Sequence, residues 1–198
     1  MAASFNVYIT GVGGQGIGLL AEALARAAGH AGLSVRGCDT HGLAQRGGIV
    51  SSFVRIGDGA HSPIVPVGSA QLVLALERTE SLRACREWLA PRGALVWYDA
   101  VWQPLPVRLG EEGPVVVADV EAVCTALGAR SFRVAREDLP DPRMQNVAVL
   151  GAAAARALLP GVGLAHLRAA LEDLMEGPAL EKNIAALEAA ADEAAALG

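Results

Sequence analysis

Phe5-Asn-Val-Tyr-Ile-Thr-Gly-Val-Gly-Gly-Gln-Gly-Ile17 is the stretch that decides the fold. Phe5 to Thr10 reads as a strand and Gly11 to Gly16 as a glycine turn. From Ile17 to Ala28 the apolar residues recur at helical period, with Ile17, Leu20, Leu24 and Ala28 in one stripe that faces a sheet. Gly29 and Gly32 end this helix, as glycines commonly do. Leu33 to Thr40 reads as the second strand. Residues 5–40 are therefore expected to form a strand–helix–strand unit with neighbouring parallel strands.

Working outward, His41 to Gly48 reads as a polar, glycine-bearing loop and Ile49 to Ile56 as a strand closed by the turn residues Gly57-Asp58-Gly59, a hairpin signal. Leu72 to Leu76 is short and continuously apolar, the mark of a strand buried on both faces. Thr79 to Ala90 reads as a helix stopped by Pro91, and Ala94 to Tyr98 as a strand. Val115 to Val117 is expected to be an edge strand, Val120 to Leu127 a helix and Ser131 to Arg136 a weak strand. Met144 to Leu159, Leu164 to Met175 and Ala179 to Ala196 read as three consecutive helices. The expected fold class is α/β: a Rossmann-like, mostly parallel sheet flanked by helices, with a helical C-terminal segment, in one domain over residues 1–198.

Composition narrows the function. The chain has 198 residues, enough to bury a core without staples. Charged residues are 19% and aromatics 4%, so aliphatic side chains supply the apolar content and the mean hydropathy reaches +0.37. The longest strongly apolar run, Val147 to Ala155, is nine residues, against the ~20 of a membrane span. An apolar chain without a span is expected to place apolar surface in a subunit interface and not in a membrane. The net charge of −5 with no basic cluster disfavours nucleic acid. No signal-peptide pattern opens the chain, and three scattered cysteines (Cys38, Cys85, Cys124) fit a reducing cytoplasm. Three thiols are too few for the usual four-thiolate iron–sulfur cluster, and no Cys/His group has zinc spacing, so no metal is expected on this chain.

Two stretches carry candidate chemistry. Gly11-x-Gly13-x-x-Gly16 lies between strand and helix, where glycines let backbone N–H groups and a helix N-terminus approach a phosphate. Asp39 follows Gly16 by 23 residues, near the ~20 expected of a ribose-binding carboxylate. The competing reading is a tight turn with no ligand. The second stretch, Asp39-Thr-His-Gly-Leu-Ala-Gln-Arg-Gly-Gly48, gathers a carboxylate, an imidazole, an amide and a guanidinium at a strand's carboxyl end. Arg46 can fork onto a carboxylate or phosphate; its alternative is a surface pairing with Asp39. Glu77 reads either as a polar contact or as a partner of Arg78 or Arg83, and Asn146 as a helix cap. Trp88, Trp97 and Trp102 read as core or interface anchors. Cys38, beside Asp39, is not expected to be a nucleophile.

Gly11-Val-Gly-Gly-Gln-Gly-Ile17 with His41-Gly-Leu-Ala-Gln-Arg-Gly-Gly48 resembles the gamma-type subunit or domain of the 2-oxoacid:ferredoxin oxidoreductases, most of all the small beta subunit of the indolepyruvate ferredoxin oxidoreductases. Ser52–Gly57, Ser62–Pro66, Leu74–Arg83, Asn146–Gly151 and Lys182–Leu187 extend the resemblance over nearly the whole chain. It implies a heteromeric complex that decarboxylates an aryl 2-oxoacid oxidatively, forms the acyl thioester of coenzyme A and reduces ferredoxin. Thiamine diphosphate and the iron–sulfur clusters then belong to a large partner subunit, with no catalytic residue in this chain alone. This chain would cover the partner's thiamine site. Its expected contacts to substrate, coenzyme A or partner are Gly13, Gly14, Gln15, Gly16, Asp39, His41, Gln45, Arg46 and Gly47. Gly57-Asp58-Gly59 imitates the start of a thiamine diphosphate motif, but no Asn-Asn pair follows it. The rival expectations are a stand-alone NAD- or FAD-binding oxidoreductase and a purely structural interaction subunit.

Overall fold

A computed structural model describes residues 4–40, 48–102, 107, 109–110 and 113–197. The strands are β1 (Phe5–Val12), β2 (Val35–Thr40), β3 (Ile49–Ile56), β4 (Ala70–Ala75), β5 (Leu89–Tyr98) and β6 (Arg130–Val134). The helices are α1 (Ile17–His30), α2 (Arg78–Glu87), α3 (Val117–Ala126), α4 (Gln145–Ala155), α5 (Leu164–Leu174) and α6 (Gly177–Ala196). The strands form one sheet in the order β2-β3-β1-β4-β5-β6. β1, β4, β5 and β6 are parallel, and β3 runs antiparallel to both β1 and β2.

Period-two alternation along the strands builds two cores. Val7, Ile9, Leu72, Leu74, Ala94 and Val96 face α1, α4, α5 and α6, while Tyr8, Val73, Ala75, Leu95 and Trp97 face α2 and α3. α1 buries the stripe expected of it, Ile17, Leu20, Leu24 and Ala28. α4 is buried on all sides from Gln145 to Ala153 and fills the space between the sheet and α6. α6 buries Ala186, Leu187, Ala190, Ala191 and Ala194, with Leu180 and Ile184 only partly buried. The physical reason is close approach. A Cβ on Gly151 of α4 would stand 2.2 Å from the Leu187 carbonyl oxygen, a separation open only to glycine against a small-residue stripe.

Several expectations are corrected. β1 and β2 are parallel in direction but not neighbours, because β3 inserts between them, so residues 5–40 are not a closed strand–helix–strand unit. Gly57-Asp58-Gly59 turns the chain but makes no hairpin: β3 pairs with β1 and β2, and the next strand, β4, lies across β1. Val115–Val117 is no edge strand; α3 begins at Val117, where the Asp119 carboxylate accepts the Val116 N–H at 2.8 Å. α2 ends at Glu87 and β5 starts at Leu89, ahead of Pro91. β6, not residues 115–117, is the strand beyond β5.

The four parallel strands point their carboxyl ends to one edge. That edge also receives the end of β2 and the start of β3, since Thr40 pairs with Ser51 and Val12 with Ile49.

Candidate functional site

The glycine turn sits on this carboxyl edge. Gly13 N–H donates to the Gly48 carbonyl at 2.9 Å, and Gln15 N–H donates back to the Val12 carbonyl at 3.1 Å. Gly16 is the N-terminal cap of α1 at φ +80°, a left-handed conformation that favours glycine. No side chain caps α1 and none of its own first-turn residues is acidic, so the only carboxylate beside that turn among the described residues is Asp39 of β2. Asn146, at the start of α4, donates its Nδ2 to the Gly16 carbonyl at 3.2 Å and locks the turn from the helical face.

β1 and β4 are neighbouring parallel strands whose helices, α1 and α2, leave to opposite faces. Such a reversal opens the crevice where ligands of α/β sheets collect. Gln15 closes it here. Its side chain is 1% exposed, its Oε1 accepts the Val12 N–H at 2.7 Å, and its Nε2 donates to the Leu76 carbonyl at 2.6 Å. Gln15 thus shapes the turn, leaving Gly14 as the exposed apex.

Beyond the crevice, Glu77 caps α2. One carboxylate oxygen accepts the Glu80 N–H at 2.9 Å and the other accepts the Trp102 N–H at 3.1 Å. Glu77 pairs with neither arginine expected for it: Arg83 pairs with Glu80 and Arg78 with Asp99. Asp99, at the end of β5 and 3% exposed, bridges Arg78 at 2.6 Å and Arg133 at 2.5 Å. Burial pushes its carboxyl up, but the two guanidinium hydrogen bonds outweigh that and hold it below the usual carboxylate range. The half-exposed apolar side chains Ile49, Val101, Trp102 and Val116 rim the same edge. Trp97 is fully buried and Trp88 stacks on Tyr8 with centroids 4.8 Å apart, so of the three tryptophans Trp102 alone has the exposure of an interface anchor.

Asp39 is exposed near the end of β2 and accepts a hydrogen bond from the Ser52 hydroxyl at 2.6 Å. Its other oxygen would lie 3.9 Å from a Cβ on Gly18, beside the first turn of α1. The dinucleotide arrangement is not reproduced, because that geometry needs the acidic strand next to the glycine strand, and β3 holds the two roughly 10 Å apart. His41, Gln45, Arg46 and Gly47 lie outside the described residues, as does any pairing of Arg46 with Asp39.

On the helical side of the turn is a cavity of about 510 Å³, walled by the starts of α1, α4 and α6 and including Gly16, Asn146, Lys182 and Asn183. At its rim Arg143 chelates Asp141, holding that carboxyl at about 2. Sequence reasoning met Asn146 as a helix cap and Lys182-Asn183 only within a resemblance; their convergence on Gly16 is tertiary. Among the described residues no group of three or more His, Cys, Asp or Glu could hold a metal. The buried thiols of Cys85 and Cys124 are 3.7 Å apart and unbridged; Cys124 and burial hold the Cys85 thiol protonated. Burial, and then Asp39, raise the Cys38 thiol, against a nucleophilic role. No helix among the described residues is long and apolar enough to cross a membrane.

Residues 6–193 match the family model described as pyruvate ferredoxin/flavodoxin oxidoreductase. The chain belongs to this family. Among pyruvate ferredoxin/flavodoxin oxidoreductase relatives, it is 31% identical to indolepyruvate oxidoreductase subunit IorB of Archaeoglobus fulgidus over 187 residues, covering 92% of each chain. It is also 42% identical over 102 residues to the protein of the same name from Pyrococcus horikoshii, covering 52% of this chain and 48% of that one. It is an oxidoreductase subunit of the 2-oxoacid:ferredoxin type. The same fold occurs in the keto/oxoacid ferredoxin oxidoreductase gamma subunit of Geobacter sulfurreducens, with a TM-score of 0.66, 21% identity and 97% and 99% of the two chains covered. It also occurs in 2-oxoglutarate:ferredoxin oxidoreductase from Magnetococcus marinus, solved with 2-oxoglutarate, coenzyme A and succinyl-CoA. There the TM-score is 0.72 at 18% identity, and this family member corresponds to 32% of the longer chain.

Proposed function

We propose that this chain is the small, non-redox subunit of a complex that oxidatively decarboxylates an aryl 2-oxoacid such as indolepyruvate, yields the acyl-CoA and reduces ferredoxin. The observation that carries the reading is the likeness to the Archaeoglobus indolepyruvate oxidoreductase subunit over 92% of both chains. We assign residues 1–198 to a single gamma-type domain, working in the cytoplasm. Thiamine diphosphate, iron–sulfur clusters and ferredoxin docking belong to the large partner; this chain's three cysteines fall short of the four thiolates a cluster ordinarily takes.

Thiamine diphosphate, held by the partner, supplies the decarboxylation chemistry. This chain's carboxyl edge acts as the lid. Exposed Ile49, Val101, Trp102 and Val116 dock on the partner and exclude water, which strengthens electrostatics inside the closed site. Gly14 and Gly16 offer main-chain amides there, whereas the Gly13 amide is taken up by the Gly48 carbonyl, and Gln15 keeps the turn in register through Val12 and Leu76. Asp39, with His41, Gln45, Arg46 and Gly47 of the following loop, completes the contact to substrate or partner.

The test is coexpression with the large subunit, followed by dye-coupled assays on a panel of 2-oxoacids with coenzyme A. Aryl 2-oxoacids should exceed pyruvate in kcat/KM by tenfold or more; a preference for pyruvate or 2-oxoglutarate would sink the substrate assignment. Trp102→Asp should weaken assembly roughly 30-fold, about 2 kcal/mol for an interface tryptophan, while leaving the melting temperature of the isolated chain unchanged. Iron–sulfur absorbance in the pure chain alone would contradict the division of cofactors.

A further inference from the structure

β6 is the last strand of the sheet, and a cleft of about 620 Å³ opens along it where α4 and α6 both end. Arg130 and Phe132 of β6, Arg156 just past α4, and Ala194 and Ala195 in the last turn of α6 line it. Arg130 begins β6, so the cleft lies toward the amino ends of the parallel strands, away from the glycine turn and the carboxyl edge.

Two guanidinium groups share this cleft without an anion. The guanidinium carbon of Arg156 stands 4.7 Å from the Phe132 ring centroid, and that of Arg130 stands 5.9 Å from the same centroid. A cation at a helix C-terminus commonly bonds the last carbonyls. The Nε of Arg156 does not: it is the one buried side-chain nitrogen or oxygen among the described residues without a hydrogen-bond partner. Glu193, the carboxylate whose charge reaches Arg156, is held by Arg136 at 2.9 Å. Burial accordingly pushes the Arg156 guanidinium below its ordinary value. Arg130 is exposed and takes part in the ring contact but in no ion pair among the described residues. Arg78, Arg133, Arg136 and Arg143 all have carboxylate partners, in a chain of net charge −5. Two cations left together on one ring are therefore an exception. The ring face offsets part of their repulsion and desolvation; an anion between them offsets the rest.

The walls select the anion. A guanidinium fork matches the plane of a carboxylate, and two forks take two carboxylates. The Phe132 ring and the methyl groups of Ala155, Ala194 and Ala195 suit a short carbon chain. The volume falls within the ~300–1,000 Å³ typical of small-molecule sites and exceeds what a bare inorganic ion fills.

We propose that this cleft binds a small aliphatic dicarboxylate. One carboxylate sits on Arg156, whose Nε–H gains the acceptor it lacks, and the other sits on Arg130. The carbon chain lies against Phe132 and the alanines. The site is built from this chain's own residues and does not depend on the substrate assigned to the complex.

The test is calorimetric titration of the full chain with succinate, acetate and sulfate at one fixed ionic strength. Succinate should bind with a Kd below about 1 mM and at least tenfold more tightly than acetate or sulfate. Arg156→Gln and Arg130→Gln should each weaken succinate about tenfold, the loss expected for one charge-assisted hydrogen bond. Arg130 is exposed, so Arg130→Gln should leave the melting temperature unchanged and tests the site even if Arg156→Gln fails to fold. Sulfate binding as tightly as succinate would make the cleft a general anion site, and acetate binding as tightly would remove the second carboxylate. Either result overturns the proposal, as does absence of succinate binding at about 10 mM, or succinate binding indifferent to both variants.

Discussion

Replacing Gln15 tests how the glycine turn is held. Its amide is the sole side-chain group joining the turn after β1 to the end of β4 among the described residues, accepting from Val12 N–H and donating to the Leu76 carbonyl at 1% exposure. Removing it orphans one buried donor and one buried acceptor. Each orphan costs about 1–3 kcal/mol, so Gln15→Met, which keeps most of the volume, should destabilise the chain by about 4 kcal/mol. For a chain of this length each kcal/mol shifts Tm by about 2–4 °C, which predicts a fall of roughly 8–16 °C. Gln15→Ala adds a small void and should fall further. The assay is urea unfolding followed by circular dichroism, with thermal melts in parallel. A loss below about 1 kcal/mol for Gln15→Met at unchanged m-value would refute the reasoning, since Val12 and Leu76 would then have other partners or reach water.

Other outcomes follow from the same geometry. Gly151→Ala should cost about 3 kcal/mol in urea unfolding, because its Cβ would stand 2.2 Å from the Leu187 carbonyl oxygen and α4 and α6 must part by about 1 Å. Asp99→Asn should cost about 2 kcal/mol at pH 7 by leaving Arg78 without its carboxylate. The folded-state pKa of Asp99 is depressed, so its contribution is present above the ordinary carboxylate value near ~3.9 and is lost as pH falls through the folded value. The stability gap between parent and Asp99→Asn should therefore be full at pH 6 and shrink below pH 4. A gap that stays constant down to pH 3 would mean that charge is not what Asp99 contributes.

Local periodicity carried most of the elements. The apolar stripe of α1, the continuous run of β4 and the three C-terminal helices are legible because each depends on neighbours within a few residues. The glycine turn was legible as a turn for the same reason. Gln15 was not legible as its lock: its partner Leu76 is 61 residues away and nothing local marks that carbonyl as lacking a donor. Asn146 likewise read as a cap, while its Nδ2 spans 130 residues to Gly16.

Strand order was the largest failure of local reasoning. The stretch from Phe5 to Thr40 is compatible with β1 and β2 as neighbours, and only the pairing of β3 with both separates them. Pairing is chosen by which assembly buries the most apolar surface, a property of the whole chain. What the amino-acid sequence determined by itself is therefore most of the elements, the glycine turn after β1 and the shortage of thiolates, all local or compositional facts. What tertiary structure alone decided is which carboxylate stands near that turn, which amide closes the crevice and which three helix starts share a hollow, because distances between remote segments are set by packing and have no local code.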